Sequence, residues 1–294
     1  MRGVEIVESP AKSVLNRVHG MPFHWSINPY RGCYHGCVFC YARRTHTYLE
    51  EDGVNRWGSR IFVKVNAPAV LRTELAKRSW RHECVAIGTV TDPYQPLEGR
   101  YRITRGVLAA LRDYDTPASI ITRSPLVVRD IDVLTELARV AGVSVSISIA
   151  TLDPSLAREI EPTVAPPEKR LFAVQKLSQA GIRVNVALAP ILPRITDSAQ
   201  NIERVVKAAR EAGATSVWHN TLHLHEVTRD AFFAYLRRRH PELIADYATY
   251  YRGKYAPRAL HDSIEERVDR ALDRFPRSVH RAIEPRGPVQ ISLL

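Results

Sequence analysis

The stretch Cys33-Tyr34-His35-Gly36-Cys37-Val38-Phe39-Cys40 gathers three of the chain's four cysteines at C-x3-C-x2-C spacing. Thiolates are soft ligands that suit iron–sulfur clusters, zinc or copper. Three readings compete. Unrelated cysteines, two of them disulfide-bonded, rarely cluster so tightly. Structural zinc sites usually draw ligand pairs from two knuckles. No second C-x2-C exists here, so zinc would need His35 or a distant histidine as fourth ligand. A [4Fe–4S] cluster normally takes four cysteines, and three would leave one iron open to a small molecule. Gly32 and Gly36 let the backbone curl around a bulky inorganic group. The third reading accounts for the spacing best.

Working outward, Phe39 precedes the last cysteine and the aromatic Tyr41 follows it. The wider run spans Asn28-Pro29-Tyr30-Arg31-Gly32-Cys33 through Cys40-Tyr41-Ala42-Arg43. It resembles the cluster loop of the radical S-adenosylmethionine (SAM) superfamily, in the branch that holds spore photoproduct lyase and its bacterial relatives. The resemblance implies a [4Fe–4S] cluster on Cys33, Cys37 and Cys40 whose open iron chelates SAM. It implies reductive cleavage of SAM to methionine and a 5′-deoxyadenosyl radical that removes a hydrogen atom from a substrate. An electron donor such as flavodoxin or ferredoxin is the implied partner.

Downstream, short runs rich in β-branched residues alternate with helical patterns that end in glycine. Strands are predicted at 84–88, 118–122, 143–150, 184–189 and 216–222, and helices at 104–111, 128–140, 168–180 and 199–212. Such alternation marks βα units on a parallel sheet. With His24–Asn28 leading into the cysteine loop, about six units result. The fold class is α/β, and the count fits the partial (β/α)6 barrel that the resemblance implies. The run 61–65 reads as an extra strand, and 45–51 as a short helix. Residues 1–25 read as a leader with little regular pattern, 26–228 as the core and 229–294 as a helical C-terminal appendage. The tyrosines of that appendage (247, 250, 251, 255) are expected to fill its joint with the barrel, with polyanion binding as the other reading.

The apolar fraction of 45% and charged fraction of 25% are those of a globular protein. No apolar run is long enough to span a bilayer, and the start Met1-Arg2-Gly3-Val4-Glu5-Ile6 lacks the apolar stretch of a secretory signal. Clustered metal-type cysteines point to a reducing compartment, hence the cytoplasm. The formal net charge of +11, mostly arginine, raises the expectation of a nucleic-acid partner. An arginine-rich solvated surface is the plain alternative.

The remaining site residues follow from the resemblance. In Thr89-Val90-Thr91-Asp92, Thr91 or Asp92 would accept from the SAM ammonium, although Asp92 before Pro93 also suits a local turn. Arg123 stands where the lyase pattern has a lysine that reaches the SAM carboxylate. It keeps the charge but not the geometry. Ser148 matches a serine at the end of the fourth strand, Ala189 begins an Ala-Pro-Ile that lets the backbone approach the adenine, and Tyr41 would lie near that adenine. The lyase carries a hydrogen-donating cysteine where this chain has Thr89. Cys84 lies five residues upstream, at the strand start, and reads as a small core residue. Direct reversal of thymine photodimers is therefore not expected.

His219, His223 and His225 share parity and would face one side if their strand continues. Tyr94 and Gln95 are further candidates for the cavity mouth. The leading expectation is a radical SAM enzyme acting on an unknown, nucleic-acid-like substrate. The alternative is a non-catalytic iron–sulfur or zinc protein that binds nucleic acid. Methyl or methylthio transfer is a weaker third, because the extra cysteines such chemistry often uses are not visible.

Overall fold

The computed structural model describes residues 3–47, 53, 57–277 and 282–285. Its frame is a seven-stranded sheet. Strands β1 (Glu5–Glu8) and β2 (Asn16–Arg17) come first, then β3 (Trp25–Ile27), β4 (Tyr30–Arg31) and β5 (Arg60–Val63). They are followed by β6 (Val85–Ile87), β7 (Ala118–Thr122), β8 (Val143–Ser148), β9 (Arg183–Ile191) and β10 (Ser216–Thr221). The main sheet runs β10-β9-β8-β7-β6-β3-β2. Every pairing from β3 to β10 is parallel, and only β2 is antiparallel, against β3. Six parallel strands in this order bear out the partial (β/α)6 arrangement.

The helices are α1 (Arg44–Thr47), α2 (Ala67–Leu75), α3 (Glu98–Tyr101), α4 (Ile103–Asp113), α5 (Ile131–Val140) and α6 (Pro154–Ile160). They continue with α7 (Pro167–Gln179), α8 (Ala199–Glu211), α9 (Glu226–Arg239), α10 (Ile244–Tyr250) and α11 (Arg258–Arg274). Part of the predicted helix at 45–51 lies outside the described residues. The leader is more regular than its sequence suggests, because pairing overrides weak local pattern. Its β1 joins β5 in parallel, β4 joins β5 antiparallel, and β2 extends the main sheet. The run at 61–65 is thus an extra strand in a three-stranded sheet of its own.

Side-chain parity divides the main sheet. Ile120, Val145, Ile147, Val184, Val186 and Val217 join one apolar core with Leu134, Leu137, Val174 and Leu177 of the helices. The other parity is polar and nearly sealed. Ser119 pairs with Ser144, Ser146 with Asn185, and Asn185 with Ser216. The Ser144 hydroxyl donates to Ser119 Oγ at 3.3 Å, and Ser216 donates to Asn185 Oδ1 at 2.8 Å. Buried hydroxyls must find partners, and these neighbouring strands supply them.

The appendage packs as expected. Tyr247 and Tyr251 are fully buried with Phe232, Leu236 and, from the cysteine loop, Cys37 and Phe39. Tyr247 donates to the Pro193 carbonyl at 2.7 Å and Tyr251 to the Leu222 carbonyl at 2.8 Å. Tyr255 departs from this pattern and is 65% exposed. None of the described helices is long and apolar enough to cross a membrane.

Candidate functional site

The cysteine loop follows β4 at the carboxyl edge of the parallel strands, where such architectures place chemistry. Gly32 at φ 83° and Gly36 at φ 64° take the left-handed backbone that the loop's curl requires. None of the four cysteines is disulfide-bonded, so the disulfide reading is not met. Cys84 is buried at the foot of β6, apart from the loop's cluster of neighbours.

Segments from distant parts of the chain hold the loop. From the end of β6, Thr91 donates to the Gly32 carbonyl at 2.6 Å, and Gln95 accepts from the Tyr34 amide at 3.0 Å. Asp92 accepts from the Tyr94 amide at 2.8 Å, the Thr122 hydroxyl at 2.6 Å and the Arg123 amide at 2.7 Å. Its Oδ2 also faces His35 Nδ1 at 3.3 Å. A carboxylate offers about four acceptor positions, so Asp92 is fully engaged in joining β6, β7 and the loop. From the end of α6, Ile160 accepts from the Val38 amide at 3.0 Å, and Thr163 donates to the Tyr34 carbonyl at 2.7 Å. From α9, Thr228 donates to the Cys40 carbonyl at 3.3 Å.

Burial disfavours thiolate charge at the loop. Burial pushes the Cys37 thiol well up, against the pull of Arg123. Burial and Cys33 push Cys40 up to about 11. Burial disfavours the His35 cation, but Asp92 and then Cys33 outweigh it and raise His35 to about 10. Thiols with raised pKa values ionise when a metal core binds them.

Among the described residues, the one trio of His, Cys, Asp or Glu ligand atoms within 4.8 Å of one another is the exposed His261, Asp262 and Glu265. Tetrahedral zinc would draw thiolate sulfurs to roughly 3.8 Å apart, given its bond length, and the cysteine trio is not gathered so closely. Three soft ligands on one clamped loop fit a larger cluster.

Around the loop, Arg123 leaves the end of β7. Its Nε donates to Glu161 at 2.8 Å, its Nη2 reaches the Ala189 carbonyl at 3.3 Å, and its guanidinium lies 5.5 Å from the Phe39 ring centre. Ser148 is buried at the end of β8, where its carbonyl accepts from Arg170 at 2.9 Å. The Tyr41 hydroxyl donates to the Thr89 carbonyl. The structure thus brings Tyr41, Arg123, Ser148 and Ala189 to the strand ends beside the cysteines, while Thr91 and Asp92 turn toward the loop they hold.

The residues 27–201 match the family model of the Radical SAM superfamily, more than half of the chain. The chain belongs to the radical SAM superfamily. Membership makes it a radical SAM enzyme and implies a [4Fe–4S] cluster and SAM as its cofactors. An uncharacterised protein of Mycobacterium tuberculosis (strain H37Rv) is 41% identical over 270 residues, covering 90% of this chain and 79% of that protein. An uncharacterised protein of Methanocaldococcus jannaschii is 30% identical over 194 residues, covering 66% of this chain and 70% of that protein. A solved structure of a spore photoproduct lyase variant with bound AdoMet and dinucleoside spore photoproduct matches with a TM-score of 0.68. It shares 15% identity and covers 92% of this chain and 79% of that one, a likeness of fold.

Two expectations for this radical SAM chain need correction. The three histidines do not share a face, because β10 ends at Thr221 with a register shift after His219. Burial lowers the His219 pKa, offset in part by Glu265 and Asp269, which places it toward α11. His223 and His225 lie past the strand, with His223 5.8 Å from the Tyr41 ring and 6.0 Å from Tyr255. Tyr94 is fully buried in the main core rather than at a cavity mouth. Sequence reasoning missed Glu161, Arg170, Thr163 and Thr228. The Asp153-Pro154 start of α6 was a readable helix signal, but the long-range partners of Glu161 had none.

Proposed function

We propose that Cys33, Cys37 and Cys40 hold a [4Fe–4S] cluster at which SAM is reductively cleaved, and that the resulting radical abstracts hydrogen from a nucleic-acid substrate. The observation that carries this reading is the trio of free cysteines on one loop, clamped at the carboxyl edge of six parallel strands. When bound, the cluster supplies the electron that splits SAM into methionine and a 5′-deoxyadenosyl radical.

The chain's own residues bind, orient and exclude water. Arg123 offers its outer N–H edge to the SAM carboxylate while Glu161 fixes its plane. Ser148, Ala189 and Tyr41 line the place of the ribose and adenine. Thr91 and Asp92 act indirectly, by holding the loop. The proposed boundary between a core at 26–228 and an appendage from 229 falls within α9, whose Thr228 bonds the cysteine loop.

Two features support a nucleic-acid substrate. The chain carries a formal charge of +11. Tyr41, His223 and Tyr255 form a run of rings beside the loop, and the Lys254 ammonium lies 4.5 Å from the Tyr255 ring centre. Rings with adjacent cations are how proteins stack bases and hold phosphates. A low-potential electron donor of the flavodoxin or ferredoxin type and a reducing, cytoplasmic setting complete the reading.

The test is anaerobic reconstitution with iron and sulfide, then dithionite and SAM. The expected product is 5′-deoxyadenosine. A confirmed four-iron cluster with no SAM turnover would sink the proposal. Deuterated oligonucleotides then report the substrate, through label transferred into 5′-deoxyadenosine.

A further inference from the structure

Beneath the cysteine loop lie three charges, Arg170 and Glu161 buried and the Arg123 side chain 22% exposed. Arg170 is 1% exposed. Its Nε donates to the Ala165 carbonyl at 2.8 Å, its Nη1 to the Ser148 carbonyl at 2.9 Å, and its Nη2 to Glu161 Oε2 at 2.5 Å. These contacts lock it. Glu161, 2% exposed, turns its other oxygen to Arg123 Nε at 2.8 Å. Glu161 is therefore the hinge through which the fixed Arg170 holds Arg123 against Phe39 and the cysteines.

Two arginines and one glutamate leave a net charge of +1. A buried net charge needs a counter-charge nearby. The surroundings show which groups provide it. Arg123 faces the loop across the Phe39 ring, 5.5 Å from its centre, and Phe39 lies between Cys37 and Cys40 in the chain. Burial disfavours the Glu161 carboxylate, and Arg170 and then Arg123 hold it ionised. Three thiolates around a [4Fe–4S] core in its 2+ state carry a net −1. The sum with the arginine–glutamate–arginine set is zero.

We infer that Arg123, Glu161 and Arg170 form a fixed counter-charge that sets the reduction potential of the cluster, with Glu161 as its positioning residue. This rests on the cluster proposed above. In the step concerned, the 2+ core accepts one electron from a low-potential one-electron reductant and becomes 1+. No bond forms or breaks and no proton moves, because the guanidinium groups stay protonated and Glu161 stays ionised. Cluster potentials respond to net charge and to polar groups around the sulfurs. The net +1 therefore favours the reduced state, and changing that charge shifts the potential by sign.

The experiment is a potentiometric titration of the reconstituted protein without SAM, followed by the electron paramagnetic resonance of the reduced cluster. Glu161→Gln raises the local charge and moves the midpoint positive. Arg123→Gln lowers it and moves the midpoint negative. Each changes the reduction equilibrium tenfold or more, about 59 mV for one electron. The double variant Glu161→Gln/Arg123→Gln restores +1 and brings the midpoint back toward the parent value, which a merely structural role would not do. Arg123→Lys, which keeps the charge, stays near the parent. Should Glu161→Gln fail to fold, the two Arg123 variants decide. Cluster-loaded Arg123→Gln and Arg123→Lys with equal midpoints overturn the inference and leave the cluster reading standing. A parent protein that takes up no four-iron cluster overturns both.

Discussion

His35 Nδ1 and Asp92 Oδ2 face each other at 3.3 Å, both side chains buried, one on the cysteine loop and one at the end of β6. This pair joins the loop to the sheet. Removing one partner of a buried ion pair typically costs about 3–5 kcal/mol. Asp92→Asn keeps the shape but loses the charge and an acceptor site, so destabilisation at the lower end of that range is expected. Urea unfolding of the metal-free protein checks it. An unchanged midpoint would remove the pair from the account of the loop.

The three loop cysteines and Cys84 should separate cleanly. Alanine at Cys33, Cys37 or Cys40 is expected to abolish 5′-deoxyadenosine formation and lower iron content. Cys84→Ala should leave iron and turnover intact, with a stability loss of about 1 kcal/mol for a small buried side chain. Iron and sulfide analysis beside product chromatography reads both outcomes. Loss of the cluster in Cys84→Ala would assign that residue a role it has not been given.

Arg123→Lys should weaken SAM binding. A lysine cannot keep the Glu161 contact, lie over Phe39 and present a planar N–H edge together. A tenfold or greater rise in the dissociation constant for SAM is expected, about 1.4 kcal/mol. Equilibrium binding to the reconstituted protein measures it, and parent-like affinity would mean that Arg123 serves only the loop's charge.

Gly88 connects β6 to the Thr89–Asp92 turn at φ 90°. A Cβ there would meet Pro93 Cδ at 2.5 Å and the Ile121 carbonyl oxygen at 2.6 Å. Gly88→Ala combines backbone strain with overpacking, each costing about 1–3 kcal/mol. Thermal unfolding should show a clear drop, whereas Gly99→Ala, with open space around it, should not.

Tyr255 is exposed, so Tyr255→Ala should leave stability nearly unchanged. Its loss should weaken binding of single-stranded oligonucleotides by about 1–3 kcal/mol, the usual worth of a base stacked on a ring. Fluorescence anisotropy at two salt concentrations separates stacking from charge. Equal affinities for parent and variant would take Tyr255 out of the substrate surface.

The fold was legible where local chemistry and tertiary pairing agree. Ala118–Thr122 reads as a strand and is one, because a β-branched run bounded by turn residues has no competing pattern. The leader strands were not legible. Glu5–Glu8 and Asn16–Arg17 are too short to show a period, and their pairing partners lie far along the chain. The cysteine spacing revealed a metal loop but not what braces it. Glu161 lies 38 residues from Arg123, and an unpaired glutamate after a short helix looks like any surface residue until the fold buries it. The histidine parity failed for a similar reason, because alternation holds only while the strand lasts, and β10 stops at Thr221.

The hydrogen bond from Thr228 to Cys40 spans 188 residues. At a synthesis rate of roughly 5–20 residues per second, the cysteines emerge from the ribosome about 10 to 40 seconds before α9 can close behind them. Thr91, Gln95 and Thr163 reach the loop sooner, so α9 is the last of these braces to be made.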